Sequence, residues 1–526
     1  MRVLHAAVEC LPFATTGGLG DVVGSLPGAQ RRQGCDARIL LPRYAFLAAD
    51  MRDGPVIAEL DVAGHRARIV ESPVRANGAP VYLCDLPGLF DRGADPYRDA
   101  EGREFSDNPQ RFHAFCEVAI RFAERRFDLL HLHDWHTALA AARLHQLRLP
   151  LRSVLSIHNL AFQGRLSRAE FDALNLDESI WRLGADAGDR SWSFMKAGIA
   201  GADAVSTVSP SYAREIQTPA SGCGLDLSLR ARAQDNALHG IVNGIDERSW
   251  NPQTDPALAQ NYGISDVEAG KHANRRALQT ELGLAPVNAP LVAFVGRLTD
   301  QKGADLIAEA GTALLGLEAQ YVFVGVGEPM IAAALERLAK LSPHIVFREV
   351  FDPGLARRAM AAADLLLMPS RFEPCGMTQL YAQRYGTIPV VRRTGGLCDT
   401  VVDTQAATLA DGTATGVQFD HADVGGLLYG LRRGLDLVRD PATLAALRSA
   451  GMSRDLSWGA ASDRYRRLYE QVLRPSSLGE AGRGGDAATS HTASPAPCDS
   501  RPTTVVGRAR RSTPTRPLAA ITGAAP

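Results

Sequence analysis

Short apolar runs recur along the chain, each followed by a turn rich in Gly, Asn, Asp or Ser and then by apolar residues at helical spacing. In the first half these runs are Val3–Val8, Ala37–Leu41, Leu129–Leu132, Val154–Ile157, Ala204–Val208 and Gly240–Val242. In the second half they are Leu291–Val295, Tyr321–Val324, Ile345–Phe347, Leu365–Met368 and Ile388–Val391. Continuous apolar strands alternating with helices are the pattern of parallel sheets buried on both faces. Two such series predict an α/β protein with two doubly wound, Rossmann-like domains. The junction falls at 242/243, and Trp250-Asn-Pro-Gln-Thr-Asp-Pro256, with two prolines, reads as a connection. The first domain is therefore assigned 1–242 and the second 243–456. A last helix spans 457–473, with Tyr465, Leu468, Tyr469 and Val472 at helical spacing. Residues 474–526 hold no Phe, Tyr or Trp and are dominated by Ala, Gly, Ser, Thr, Pro and Arg. Such a segment cannot bury enough apolar surface to order itself, so a disordered tail is predicted.

In folds of this kind ligands sit beyond the carboxyl ends of the strands. Two facing domains would set their strand-end loops across one deep cleft. Overall charge adds nothing to that picture: 57 Lys plus Arg against 58 Asp plus Glu give no general attraction to nucleic acid or to an anionic membrane. Any anion site must be local. The eight cysteines form no C-x-x-C pair, which disfavours a zinc ribbon or a redox dithiol. The first apolar run meets Glu9 before it could form a signal-peptide core, and no run approaches the roughly 20 residues of a membrane span. A cytoplasmic enzyme with no nucleic-acid or membrane partner is expected.

The chemistry-bearing residues do follow the strands. Thr15-Thr-Gly-Gly-Leu-Gly-Asp21 comes after the first strand, and its glycines let backbone N–H groups approach an anion at a helix start. Gly296-Arg-Leu-Thr-Asp-Gln-Lys-Gly303 carries Arg297 and Lys302, a planar fork and a flexible ammonium suited to a diphosphate. Pro369-Ser-Arg-Phe-Glu-Pro-Cys-Gly-Met-Thr-Gln379 places Glu373 at a strand end, ahead of N–H groups at Cys375, Gly376 and Met377. Arg392-Arg-Thr-Gly-Gly-Leu397 repeats the Gly-Gly theme with Gly395 and Gly396. In the first half, His131-Leu-His-Asp-Trp-His136 tempts a metal reading, but the sequence supplies no obvious further ligands, and a sugar or acceptor surface is favoured. His158-Asn-Leu-Ala-Phe-Gln-Gly164 sits after another strand, which points His158 toward the cleft. No two aspartates are separated by a single residue, so the acidic pair that commonly holds a divalent metal on a sugar nucleotide is missing. Arg297, Lys302 and backbone N–H groups would neutralise a leaving diphosphate instead.

Together and in this order, these segments resemble the bacterial glycogen synthases and plant starch synthases, from about Met1 to Leu473. The most specific stretch is Pro369 to Thr400; HDWH at 133–136, HNLAFQG at 158–164, SFMKAGI at 193–199, TVSPSYAREI at 207–216, VNGID at 242–246 and GRLTDQKG at 296–303 also match. The resemblance implies the B-type glycosyltransferase fold, with the last helix crossing back onto the first domain. It implies transfer of glucose from ADP-glucose to the 4-hydroxyl of a growing α-1,4-glucan (glycogen) with retention, no cofactor and no metal. Carried over by motif, Glu373 would stabilise or position the reacting sugar, Arg297 and Lys302 would hold the diphosphate, His158 would lie near the sugar 6-hydroxyl, and Asp134 near the reacting centre. Gly17, Gly18, Asp21, Asn243, Cys375, Gly376, Met377, Thr378, Gly395 and Gly396 would line the donor. Phe351 stands where the family has a tyrosine stacked on adenine. Tyr97, His133, Trp135 and Gln163 fall on the acceptor or sugar side. A transferase using UDP-glucose or another acceptor, and a weakly active glucan-binding paralogue, remain alternatives.

The first loop departs from the family, which has lysine where this chain has Thr15. Losing one charge-assisted hydrogen bond costs roughly 1.5–3 kcal/mol, on the order of 10- to 150-fold in donor binding or rate. Thr15→Lys is accordingly expected to raise kcat/KM for the nucleotide sugar; an unchanged or lower value would show that the donor site has been compensated or repurposed.

Overall fold

The computed structural model describes residues 1–99, 101–186 and 191–474. The predicted tail lies outside these residues, Arg474 excepted. Two sheets organise Met1–Arg474. The first contains β1 (Arg2–Ala6), β2 (Asp36–Pro42), β3 (Val56–Val62), β4 (His65–Glu71), β5 (Val81–Asp85), β6 (Leu129–His133) and β7 (Arg152–Ile157). After a small ribbon of β8 (Arg165–Leu166) and β9 (Trp192–Ser193), it is completed by β10 (Ala204–Thr207) and β11 (Leu238–Gly240). Its order is β11-β10-β7-β6-β1-β2-β5-β4-β3. The second sheet holds β12 (Leu291–Val295), β13 (Gln320–Val324), β14 (Ile345–Arg348), β15 (Leu365–Met368), β16 (Ile388–Arg392) and β17 (Val417–Phe419), in the order β14-β13-β12-β15-β16-β17. Every pair in the second sheet is parallel.

The apolar runs located most of these strands because both faces of a parallel sheet are buried. They missed the buried β5 and the short β8, β9 and β17, and also β3 and β4, which pair antiparallel at the edge. β3 reads Val-Ile-Ala-Glu-Leu-Asp-Val, with exposed and partly covered positions mixed, so no continuous run announces it. Its hairpin turns through Ala63 and Gly64, both at positive φ, a two-residue turn matching strand twist but lacking the usual Asn-Gly signal. The run Gly240–Val242 is also displaced: β11 is Leu238–Gly240, because Val205 pairs with Leu238 and Thr207 with Gly240. The first run stops short too, at Ala6, and Val8–Glu9 belong to the loop beyond it.

The last helix, Trp458–Leu473, is capped by Ser457, whose hydroxyl accepts from Gly459 N–H at 3.1 Å. Trp458, Ala461, Tyr465, Leu468 and Tyr469 form its buried stripe. That stripe shares a core with Val22, Leu26 and Ala29 of the helix Gly18–Arg32 and with Val3, Leu129, Val154 and Ala204 of the first sheet. The end of the chain therefore lies against the first half. The junction is pinned nearby, where Ile245 N–H donates to Leu456 O at 2.8 Å. Tyr465→Ala should lower unfolding stability by roughly 3–5 kcal/mol, as truncation of a buried aromatic does. Urea unfolding of the full chain checks this, and a loss under about 1 kcal/mol would show the helix to be peripheral.

Candidate active site

The loops beyond β12, β15 and β16 meet at one carboxylate. Glu373 follows β15, and Lys302 follows β12. Lys302 Nζ donates to Glu373 Oε2 at 2.6 Å, with side-chain exposures of 21% and 6%. Ser370 Oγ donates to the same oxygen at 3.1 Å. The backbone of Glu373 rests on the Gly-Gly turn after β16. Gly396 N–H donates to Glu373 O at 3.0 Å. A side chain at Gly395 would place its Cβ 2.0 Å from Glu373 O, and one at Gly396 would lie 2.2 Å from Cys375 O. Gly395 also has φ +45°. Only glycine allows this approach, which gives the repeated Gly-Gly a physical role. Arg297 stands exposed at the same strand end, its guanidinium bonded to Gln301 Oε1 at 3.3 Å rather than to a carboxylate. Its charge is open to an anionic ligand.

The segment after Glu373 is held from several sides. Gln379 Nε2 donates to Cys375 O and Gly376 O, at 3.0 and 2.9 Å. Cys375 packs into the apolar core of the first half, and burial pushes its thiol up to about 12. Ser209 Oγ donates to Pro374 O at 2.7 Å. Met377 occupies the N-cap position of the helix that begins at Thr378, without a side-chain cap hydrogen bond. Asn243 lies beside Cys375, with its Oδ1 buried and unpartnered among the described residues. Phe351, just past β14, is 81% exposed, so its ring faces are uncovered.

From the first half, Asp134 ends β6 with φ 57° and ψ −175°. This backbone region is nearly exclusive to glycine and costs on the order of 1–3 kcal/mol for another residue. The surroundings enforce it: Asp134 N–H donates to Ser156 O at 2.9 Å, and its carboxylate accepts from His158 N–H at 2.7 Å. The carboxylate thus faces the next strand end instead of capping its own helix. Burial, with the Glu9 charge adding to it against the backbone N–H bonds from His158 and Asn159, raises Asp134 to about 7. Burial and Glu9 also lift Asp21 to about 6. His158 is partly covered, and burial lowers it to about 4.

Some expectations are corrected here. His133, expected on the acceptor or sugar side, is fully buried and bonds His5 and His158, at 3.1 and 3.0 Å. Its place on β6 turns it into the sheet. Trp135 is largely packed, edge-on to Phe112 and Phe194. Gln163 is buried, its Nε2 donating to Cys223 O at 2.9 Å. Tyr97 is partly covered and donates its hydroxyl to Glu9. Thr15 Oγ1 turns back to Gly17 O at 3.1 Å, so the hydroxyl serves the loop. In the same loop Thr16 N–H and Gly17 N–H donate to Glu9, and among the described residues the Gly18 and Leu19 N–H groups at the helix start have no acceptor.

Sequence reasoning passed over Glu9 and Glu215. Glu9 anchors the first glycine loop and the Tyr97 hydroxyl; its position directly beyond the first strand was the available signal. Glu215 accepts from Gly395 N–H at 2.7 Å across the domains, and Ser211 bonds Asp399 at 2.8 Å through both N–H and Oγ. Such contacts between distant segments leave no local mark in a sequence.

Two Rossmann-like domains with strand-end loops meeting at a buried carboxylate–lysine pair are the architecture of a glycosyltransferase of the B type. Residues 2–231 match the starch synthase catalytic domain family, and residues 289–419 match glycosyl transferases group 1. A glycogen synthase of Roseobacter denitrificans is 41% identical over 482 residues, covering 90% of this chain and all of that protein. The catalytic domain of starch synthase IV from Arabidopsis thaliana, solved bound to ADP and acarbose, superposes with a TM-score of 0.81 at 33% identity, over 90% of this chain and 99% of that one. Sucrose-phosphate synthase from Thermosynechococcus elongatus, at 17% identity and a TM-score of 0.55 over 90% and 99% of the two chains, shares the fold. The chain belongs to the glycogen synthase and starch synthase family.

The raised Asp134 carboxyl has a consequence for stability. An acid whose folded-state value lies above its unfolded one binds more protons when folded, so stability falls as pH rises between about 4 and about 7. Asp134→Asn keeps the acceptor oxygen for His158 and removes this titration. Urea unfolding at pH 5 and pH 8 should show a smaller pH difference in the variant than in the parent, by a few kcal/mol at most; an identical difference would mean that Asp134 titrates normally.

Proposed function

We propose that this chain transfers glucose from ADP-glucose to the non-reducing end of an α-1,4-glucan, with retention at the anomeric carbon. The observation that carries the reading is Glu373 held by Lys302 and Ser370 over the Gly395–Gly396 turn, with exposed Arg297 at the neighbouring strand end. As the glycosidic bond to the nucleotide breaks, negative charge grows on the diphosphate and positive charge on the sugar. Arg297 and Lys302 supply cations for the first, and Glu373 supplies a carboxylate for the second. Because Lys302 already touches Glu373, one ammonium links the two developing charges. Gly18 N–H and the backbone of 375–378 add donors that need no reorganisation. Phe351 offers a ring face to the base. Asp134 and His158 face the sugar from the first domain, His158 near the 6-hydroxyl.

The likeness to proteins that make glycogen and starch, one of them solved with ADP and acarbose, supports ADP-glucose as donor and a glucan as acceptor. No helix among the described residues is long and apolar enough to cross a membrane; the proposal is of an enzyme acting on glucan in the cytoplasm.

Purified protein with glycogen as primer should incorporate glucose from ADP-glucose faster than from UDP-glucose. Glu373→Ala should lower that rate by about 10²-fold or more, the scale of losing a principal electrostatic stabiliser, with glycogen binding retained. Incorporation from neither donor by folded protein, or wild-type turnover in Glu373→Ala, would overturn the assignment.

A further inference from the structure

Behind His158 a chain of hydrogen bonds runs through the interior of the first domain to the last helix. His158 Nε2 meets His133 Nδ1 at 3.0 Å, and His133 Nε2 meets His5 Nδ1 at 3.1 Å. His5 Nε2 meets Gln30 Oε1 at 2.8 Å, and Gln30 Nε2 donates to the Tyr469 hydroxyl at 2.9 Å. Tyr469 meets His131 Nδ1 at 2.6 Å, and His131 Nε2 meets Ser156 Oγ at 2.7 Å. His5, Gln30, His131, His133, Ser156 and Tyr469 are all buried.

The bonds have one direction. Gln30 Oε1 only accepts, so the proton between it and His5 belongs to His5 Nε2. Burial holds His5 and His158 near 4 and lowers His131 and His133, so near neutral pH each ring carries a single N–H. His5 Nδ1 must then accept from His133 Nε2, and His133 Nδ1 must accept from His158 Nε2. His158 is left as the Nε2–H tautomer. Its Nδ1, which has no partner among the described residues, is an acceptor. On the other side, Tyr469 accepts from Gln30 and donates to His131. His5, His131 and His133 do bring ring nitrogens within 4.8 Å of one another. All six of those nitrogens are already hydrogen-bonded, which matches a relay better than a metal site.

We propose that His133, His5, Gln30 and Tyr469 are positioning residues that fix the tautomer and ring orientation of His158, so that it presents an acceptor to a hydroxyl of the donor sugar. The last helix thereby takes part in sugar recognition from behind the sheet. This rests on the reading that His158 faces the sugar 6-hydroxyl.

The test compares kcat/KM for ADP-glucose and for its 6-deoxyglucose analogue, with glycogen as primer, in the full chain. His158→Ala should bring the ratio of the two near one. Gln30→Met, which keeps shape but removes both polar atoms, should lower the ratio about 3- to 10-fold, the worth of one neutral hydrogen bond. Gln30→Glu, which keeps an acceptor for His5, should restore most of it. A wild-type ratio in Gln30→Met, beside a collapsed ratio in His158→Ala, overturns the relay. If His158→Ala keeps the ratio, the placement of His158 at the sugar is wrong, and the relay is then judged by ¹⁵N-histidine spectra. These should show one His158 tautomer in the parent and a mixture in Gln30→Met; the same single tautomer in both overturns it. Should Gln30→Met not fold, Tyr469→Phe, which removes one hydroxyl, takes its place in both measurements.

Discussion

The close contact between the Gly395–Gly396 turn and the backbone of Glu373 and Cys375 is the constraint on which the site depends. A carbonyl lies where any side chain at either position would clash, so the two loops can approach only as glycine permits. That approach fixes Glu373 at the end of β15, within reach of Lys302 from β12. It also leaves Pro374 and Cys375 facing the first half, where Ser209 and an apolar core receive them. Glu215 closes the arrangement by taking the Gly395 N–H. Three loops of one domain and a helix of the other are thus set by two residues without side chains.

The first domain answers with a different device. Asp134 is held in a strained backbone conformation by hydrogen bonds to the end of the neighbouring strand β7, and its carboxylate is spent on orienting His158 rather than on capping a helix. Glu9 similarly spends its oxygens on the first glycine loop and on Tyr97. Burial, with the Glu9 charge adding to it, raises the proton affinity of Asp134 and Asp21, and the rings behind them are kept neutral by burial. The result is a first-domain surface rich in fixed acceptors, facing a second-domain surface that carries Arg297 and Lys302. That opposition of charge suits a substrate that splits into an anionic nucleotide and an electron-poor sugar.

Thr15 fits this picture without rescuing the missing cation. Its hydroxyl is turned onto Gly17 O, so the loop keeps its shape while the donor loses one charged contact. Under the proposed function, Arg297 and Lys302 are left as the cations for the diphosphate, and Lys302 is shared with Glu373.

The sequence alone determined the two α/β domains, because strands buried on both faces must be continuously apolar. It also pointed to the loops that the fold brings together at Glu373, because Gly-Gly turns, Arg297, Lys302 and Glu373 all stand directly after such strands. It could not show the β3–β4 hairpin, whose edge position mixes covered and exposed residues. It misplaced His133, because alternation along a strand names a face but does not say whether that face meets solvent or the interior. It also gave no sign that Glu215 would reach Gly395 or that Tyr469 would join a chain leading to His158. Those contacts link residues more than a hundred positions apart, and only the packing of the last helix and the two domains brings them within hydrogen-bonding distance.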